Sequence, residues 1–246
     1  MFKSVNINLL EKIARELVGI NKTIPILFVH GGGSFGHPIA QKYNIQNGFT
    51  FSDQLDGFVQ TRIVMNQLNQ RVIETFVEEG LPVVSVHPAS CVITHHGRIQ
   101  TFFTEPIKKL LQIGIIPVLF GDAVMDTEMG FAILSGDQLI VALATSLQAS
   151  HIVVGLTVDG LFQEDPSLNP TAKIIEKLTL SDIETGLESA KDAGTTDVTG
   201  GMRNKIEEAI PALEANIPVI MINLNIPKRL VAAIQGKKTR GTYLYP

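Results

Sequence analysis

Short apolar runs alternate along this chain with stretches of helical periodicity, and few folds accommodate that pattern. Ile24–Val29, Leu81–Val86, Ile115–Phe120, His151–Leu156 and Pro218–Ile222 read as buried strands, and Thr242–Tyr245 as a final one. Residues 6–18, 53–79, 104–112, 135–147, 200–216 and 227–234 read as helices, with Gly80 stopping the second, Thr104 capping the third and Ser135 the fourth. His95-His96-Gly97 looks like a hairpin turn, and a second hairpin is expected around Asp126–Gly130. Gln163 to Thr171 is polar and holds two prolines, which suggests a surface loop, and Asp182–Ala193 reads as a helix or a loose connection. The alternation predicts an α/β fold: a three-layer sandwich with a mostly parallel central sheet, one domain over residues 1–246 with a mild division near residue 150.

Composition narrows the function classes. The chain has 246 residues and a net charge of -4, with no basic block, so a broad nucleic-acid surface is not expected. Any anion must be held locally. Cys91 is the only cysteine, which excludes an internal disulfide framework and a multi-cysteine metal site and fits a reducing compartment. No apolar run is long enough to span a bilayer, and the N-terminus does not read as a signal peptide. A cytoplasmic protein is expected.

The first chemical constellation is His30-Gly31-Gly32-Gly33-Ser34-Phe35-Gly36-His37. A strand ends at His30, and a helix is expected to start near Phe35. Glycines let backbone amides approach a ligand, and a helix N-terminus adds partial positive charge, so an anion is the natural guest. Ser34 can cap the helix or donate to a phosphate oxygen, and His37 can donate from the first turn. A plain strand-to-helix turn is the competing reading. His30 itself reads as a structural hydrogen-bonding residue.

Three Gly/Asp pairs fall at element ends: Gly121-Asp122, Gly136-Asp137 and Asp159-Gly160. Each alone reads as a cap or turn, but together they mark the strand ends where α/β ligand sites form. A further stretch, Asp197-Val198-Thr199-Gly200-Gly201-Met202-Arg203-Asn204-Lys205, places two glycines before a helix and a lysine one to two turns inside it. This is not a Walker A loop, whose lysine directly follows the last glycine. A capped helix with a solvated lysine is the alternative. No metal-ligating cluster and no Ser-His-Asp arrangement is evident.

In this order, VHGGGSFGH, FGD, LSGD, VDG and DVTGGM followed by Lys205 resemble the amino acid kinase superfamily, and within it the archaeal-type isopentenyl phosphate kinases. The resemblance runs from about Asn8 to Thr242. It implies phosphoryl transfer from ATP, accompanied by Mg2+, to isopentenyl phosphate. By that carry-over residues up to about 150 form the acceptor lobe and 151–246 the nucleotide lobe. The amides of Gly32 and Gly33 hold the acceptor phosphate, with Ser34 and Gly36 in the same turn and His37 hydrogen-bonded to it. Gly136 and Asp137 sit at the acceptor side. Thr157, Asp159, Gly160, Thr199, Gly200, Gly201 and Lys205 belong to the nucleotide side, with Lys205 on the ATP phosphates. Catalysis is assigned to His37, Lys205 and Asp159. The helix carrying Phe58, Thr61, Ile63 and Met65 would line a prenyl pocket through Phe58 and Thr61, with core packing the plainer role for Met65. A homodimer is implied.

Three departures accompany the resemblance. Members normally begin with a Lys-x-Gly-Gly-Ser strand and loop; this chain starts at Met1-Phe2-Lys3-Ser4, apparently just after it, and Lys3 has no glycine loop around it. Thr157 stands where an aspartate is usual, and Gln138 follows Asp137 where a second aspartate is common. The alternatives are a kinase of another phosphate or phosphonate such as fosfomycin, whose kinases share a glycine turn ending in Phe-Gly-His, and a catalytically weak binding protein of the same fold.

Overall fold

The computed structural model describes residues 5–164, 166–185 and 200–246. The chain divides into two compact units, Met1–Ile140 and Val141–Pro246. The first unit runs α1 (Ile7–Leu17), β1 (Phe28–His30), α2 (Gly33–Lys42), α3 (Asp53–Glu78), β2 (Val83–Ser85), β3 (Val92–His95), β4 (Arg98–Phe102), α4 (Glu105–Gln112), β5 (Ile116–Phe120), β6 (Asp122–Asp126), β7 (Gly130–Leu134) and the start of α5 (Gly136–Leu147). The second holds β8 (Ile152–Leu156), β9 (Leu161–Phe162), β10 (Ile174–Ile175), β11 (Lys177–Thr179), α6 (Gly200–Glu214), β12 (Val219–Asn223), α7 (Arg229–Ile234) and β13 (Thr242–Tyr245).

In the first unit β1 and β2 flank β5 in parallel, with His30 opposite Phe120. All five β5 residues are buried, as a parallel strand covered on both faces requires. The expected hairpins β3–β4 and β6–β7 form, and a parallel pairing of Thr94 with Asp126 joins them into one four-stranded sheet. In the second unit the order is β11-β13-β12-β8. The β8–β12 and β11–β13 pairs are parallel and β12–β13 antiparallel.

Local chemistry sets most boundaries. Asn6 accepts the Leu9 N–H at 3.1 Å and so starts α1. Gly80, at φ 88°, ends α3: the Leu81 N–H donates to Phe76 O at 2.9 Å and the Gly80 N–H to Val77 O at 2.9 Å, a Schellman closure. Ser135 Oγ accepts the Gln138 N–H at 3.0 Å at the start of α5. Three expectations shift. The strand expected over Ile24–Val29 is confined to Phe28–His30; Pro25 has no N–H to give a ladder. Thr104 occupies the N-cap of α4 without a side-chain cap bond. The loop around Gln163–Thr171 is flanked by the β9–β10 pair, whose two-residue strands are too short to show a period. Of the segment expected over Asp182–Ala193, residues 186–193 lie outside the described residues, as do Met1–Ser4 at the N-terminus.

Candidate active site

The glycine turn joins β1 to α2. The helix begins at Gly33, two residues before the expected start, with Gly32 at its N-cap. The Phe35 N–H donates to Gly32 O at 2.9 Å and the Gly36 N–H to the same oxygen at 3.3 Å. The amides of Gly33 and Ser34 therefore precede the first intrahelical bond, as first-turn donors do.

The glycines are there for different reasons. Gly33 sits at φ 45°, which disfavours any side chain, and the space around it is open. Gly32 and Gly36 meet α3 instead: a Cβ on either would stand 2.9 Å from Met65 Sδ. Met65 is 2 % exposed and packs with Leu68, Phe120, Val5 and Phe35, so its role is core packing beneath the turn. Ser34 and His37 are exposed on α2.

A second helix start meets the turn. A Cβ on Gly136 would lie 3.3 Å from His30 O and 3.6 Å from Gly31 Cα. The Gly121 N–H donates to His30 O at 3.0 Å, and a Cβ on Gly121 would lie 3.2 Å from Gly136 N. Gly121 and Gly136 are thus the packing contacts that let the end of β5 and the start of α5 close on the end of β1. Asp137 lies in the first turn of α5. Two amide-bearing helix N-termini converge on the His30–Gly33 backbone, and both carry positive partial charge.

Behind the turn, His30 Nε2 lies 3.2 Å from Asn69 Oδ1 and Nδ1 lies 3.1 Å from Gly31 O, while Asn69 Nδ2 donates to Ser85 Oγ at 2.6 Å. The ring stacks on Phe120 at 5.5 Å, and burial pushes its pKa down. This is the structural role expected of His30.

Phe58, Thr61 and Met65 share the inner face of α3. Phe58 packs against Phe131, ring centroids 5.1 Å apart, beside a cluster of Ile45, Ala123 and Phe131. Thr61 is buried and its hydroxyl has no partner among the described residues. Ile63, expected on the same wall, is 43 % exposed. Positions 58, 61 and 65 follow the helical repeat, and 63 falls opposite.

Gln138, which stands where a second aspartate is common in the family, is buried. Its Oε1 accepts the Ile99 N–H at 2.9 Å and its Nε2 donates to Gly97 O at 3.1 Å, tying α5 to the β3–β4 hairpin. An aspartate is one methylene shorter and carries no donor. Asp126 organises the neighbouring turns: its carboxylate accepts from Thr94 Oγ1 and from the amides of His96, Gly97, Glu128 and Met129. Burial works to raise its pKa, but these donors hold it far below the usual carboxylate range. Asp126 was legible only as a turn residue.

In the second unit Asp159 is held at the ends of β8 and β12. Arg229 Nη1 donates to its Oδ1 at 2.6 Å, Asn223 Nδ2 to the same oxygen at 3.2 Å, and Arg240 Nε lies 2.8 Å from Oδ2. Burial acts to raise its pKa; Arg229, Asn223 and Arg240 outweigh that and hold it below the ordinary value. No sequence spacing announces these partners. Gly160 packs on β13: a Cβ there would stand 2.5 Å from Thr242 Oγ1, which accepts the Leu161 N–H at 2.8 Å and donates to Ile175 O at 2.6 Å. Thr157 is exposed. Gly200 and Gly201 lie inside the first turn of α6 rather than before it, and Lys205 is in the second turn; Thr199 lies outside the described residues. Among the described residues no three His, Cys, Asp or Glu side chains could hold a metal ion, and no helix is long and apolar enough to cross a membrane.

The chain matches the amino acid kinase family over residues 3–223. It is 34% identical to an isopentenyl phosphate kinase of Methanothermobacter thermautotrophicus across 95% of this chain and 88% of that protein. It is 30% identical to the isopentenyl phosphate kinase of Thermoplasma acidophilum, across 90% of this chain and 84% of that one. A crystal structure of an isopentenyl phosphate kinase superposes with a TM-score of 0.83 at 30% identity, covering 98% of this chain and 92% of that chain. The α/β architecture with its mostly parallel sheet is the one these structures share. The chain belongs to the amino acid kinase family and stands among its isopentenyl phosphate kinases.

Proposed function

We propose that this protein transfers the γ-phosphoryl group of ATP to isopentenyl phosphate. The observation that carries the reading is the meeting of two helix starts, Gly33 and Gly136, on the His30–Gly31 backbone. A phosphate monoester suits that convergence of amides and helix charge. The apolar cluster of Phe58, Ile45, Ala123 and Phe131 suits a hydrocarbon tail. Relatives similar over most of their length bear the same activity in their names.

In this reading a terminal oxygen of isopentenyl phosphate attacks the γ-phosphorus. The bond from that phosphorus to the β,γ-bridging oxygen breaks, and ADP leaves with the electron pair. Such a transfer needs in-line positioning and charge neutralisation more than a covalent enzyme group. The amides of Gly33 and Ser34 and the start of α5 hold the acceptor phosphate, with Gly32 and Gly36 letting the turn seat on Met65 behind it. His37 donates to it from α2. The second unit carries the nucleotide: the family resemblance assigns Thr157, Asp159, Gly160, Thr199, Gly200 and Gly201 to it, and Lys205, on the helix that opens with two glycines, suits the ATP phosphates. Asp159 acts there through the arginines it holds. Magnesium would be coordinated chiefly by the nucleotide phosphates. A homodimer and a cytoplasmic location belong to the same reading.

Incubating the protein with ATP, magnesium and isopentenyl phosphate tests it. Isopentenyl diphosphate and ADP are expected in equal amounts. Absence of the diphosphate, or preferred turnover of fosfomycin in a mixed-substrate assay, overturns the proposal. Light scattering in solution tests the dimer.

A further inference from the structure

Four polar side-chain atoms on α3 and β6 are buried without a hydrogen-bond partner among the described residues: Thr61 Oγ1, Arg62 Nε, Asn66 Oδ1 and Asp122 Oδ2. Two of them face each other, Arg62 Nε lying 3.5 Å from Asp122 Oδ2, close enough to attract but without hydrogen-bond geometry. The Asp122 side chain is fully buried, while that of Arg62 is 32% exposed. The other Asp122 oxygen accepts the Ala123 N–H at 2.9 Å. Burial raises its carboxyl to about 6 despite Arg62. A carboxylate kept in such a place costs stability, and an apolar residue would ordinarily pack there at least as well.

Its position supplies a reason. Asp122 follows Gly121, the residue that bonds to His30 O and packs against Gly136 N. Arg62 lies one turn from Met65, the side chain on which Gly32 and Gly36 rest. We infer that Arg62 and Asp122 are a positioning pair for the acceptor phosphate: by clamping β6 to α3 they hold Gly121, and through it the starts of α2 and α5, in the register that lets both sets of amides face one phosphate. This rests on the kinase reading above, because it needs a phosphate between those helix starts. Neither residue touches the reacting atoms.

The test uses Asp122→Asn, which keeps shape and the acceptor for Ala123 N–H but removes the charge, and Arg62→Gln. Calorimetry with isopentenyl phosphate measures acceptor affinity directly, and steady-state kinetics measure KM for each substrate. Each variant should weaken acceptor binding and raise acceptor KM about tenfold or more, leave the KM for ATP within about twofold, and unfold within a few degrees of wild type. Arg62→Lys, which restores the charge, should recover part of the acceptor affinity. Unchanged acceptor affinity in either variant overturns the inference. So does a parallel loss of ATP affinity, acceptor affinity and melting temperature, which would make the pair a structural brace only. If Asp122→Asn does not fold, Arg62→Gln and Arg62→Lys decide alone. A wild type that binds isopentenyl phosphate without making the diphosphate overturns the kinase reading, while calorimetry on the variants still decides the pair.

Discussion

Met65 and Gly36 touch across the α2–α3 crossing, so closely that a Cβ on Gly36 would stand 2.9 Å from Met65 Sδ. The glycine turn is therefore shaped from behind by a core side chain. Gly36→Ala should cost up to about 2 kcal/mol, the overpacking against the flexible end of Met65 being offset by about 1 kcal/mol of helix propensity in α2. Met65→Ala alone should cost about 2–5 kcal/mol, because a fully buried side chain leaves a cavity. The double variant should be less destabilised than the two costs added, since each change relieves the other. Urea unfolding of the four proteins measures that coupling; strict additivity would show that the contact exerts no pressure.

His37 offers a cleaner functional probe. It is exposed on α2, so His37→Ala should leave the melting temperature within about a degree of wild type. Loss of one charge-stabilising donor in phosphoryl transfer should lower kcat by roughly 10²-fold. A kcat within twofold of wild type would remove His37 from the mechanism.

The buried carboxyl of Asp122 should leave a signature in stability against pH. Its folded pKa, about 6, lies above the ordinary 3.8 because burial disfavours the charged form. The folded state then binds this proton more tightly than the unfolded chain between those values. Its contribution to stability is highest below about pH 4, falls as pH rises toward 6 and is flat above, a span of about 3 kcal/mol. Asp122→Asn lacks that titration. The stability difference between variant and wild type should therefore grow in the variant's favour from pH 4 to pH 6.5; parallel curves would show that Asp122 titrates normally.

Asp159 behaves in the opposite sense. Its pKa is held below the ordinary value by Arg229, Asn223 and Arg240 against the pull of burial, so the stabilisation is present above about pH 4 and is lost as pH falls through the folded pKa. Arg229 is only 15% exposed and Arg240 is 64% exposed, so the first pair carries more of the energy. Asp159→Ala should cost roughly 1–3 kcal/mol and Arg240→Ala less than about 1 kcal/mol. Chemical denaturation at pH 7 and at pH 3.5 checks both, with the Asp159→Ala deficit shrinking at the lower pH.

Much of the architecture was legible in the chain. Asn6, Ser135 and Gly80 announce helix ends because caps and left-handed closures act within a few residues of the side chain that makes them. The apolar runs placed β5, β8 and β12; β5 and β12 are buried on both faces, which removes any polar period. Gly33 was legible as a turn glycine, and the order of motifs from His30 to Lys205 pointed to phosphoryl transfer. The wall of α3 was only half legible: Phe58, Thr61 and Met65 share a face, and Ile63 falls off it by helical geometry alone.

What the tertiary structure alone decided is which distant residues became partners. Arg229 and Arg240 meet Asp159 from 70 and 81 residues away, Arg62 meets Asp122 from 60, and Gly136 packs on the His30 carbonyl. None of these has a spacing a helix or strand repeat could reveal. Local hydrogen bonding and side-chain periodicity act over one or two turns and are written in consecutive residues. Ion pairing and close backbone approach act through space, and they exist only once the sheets and helices have brought those residues within a few ångströms.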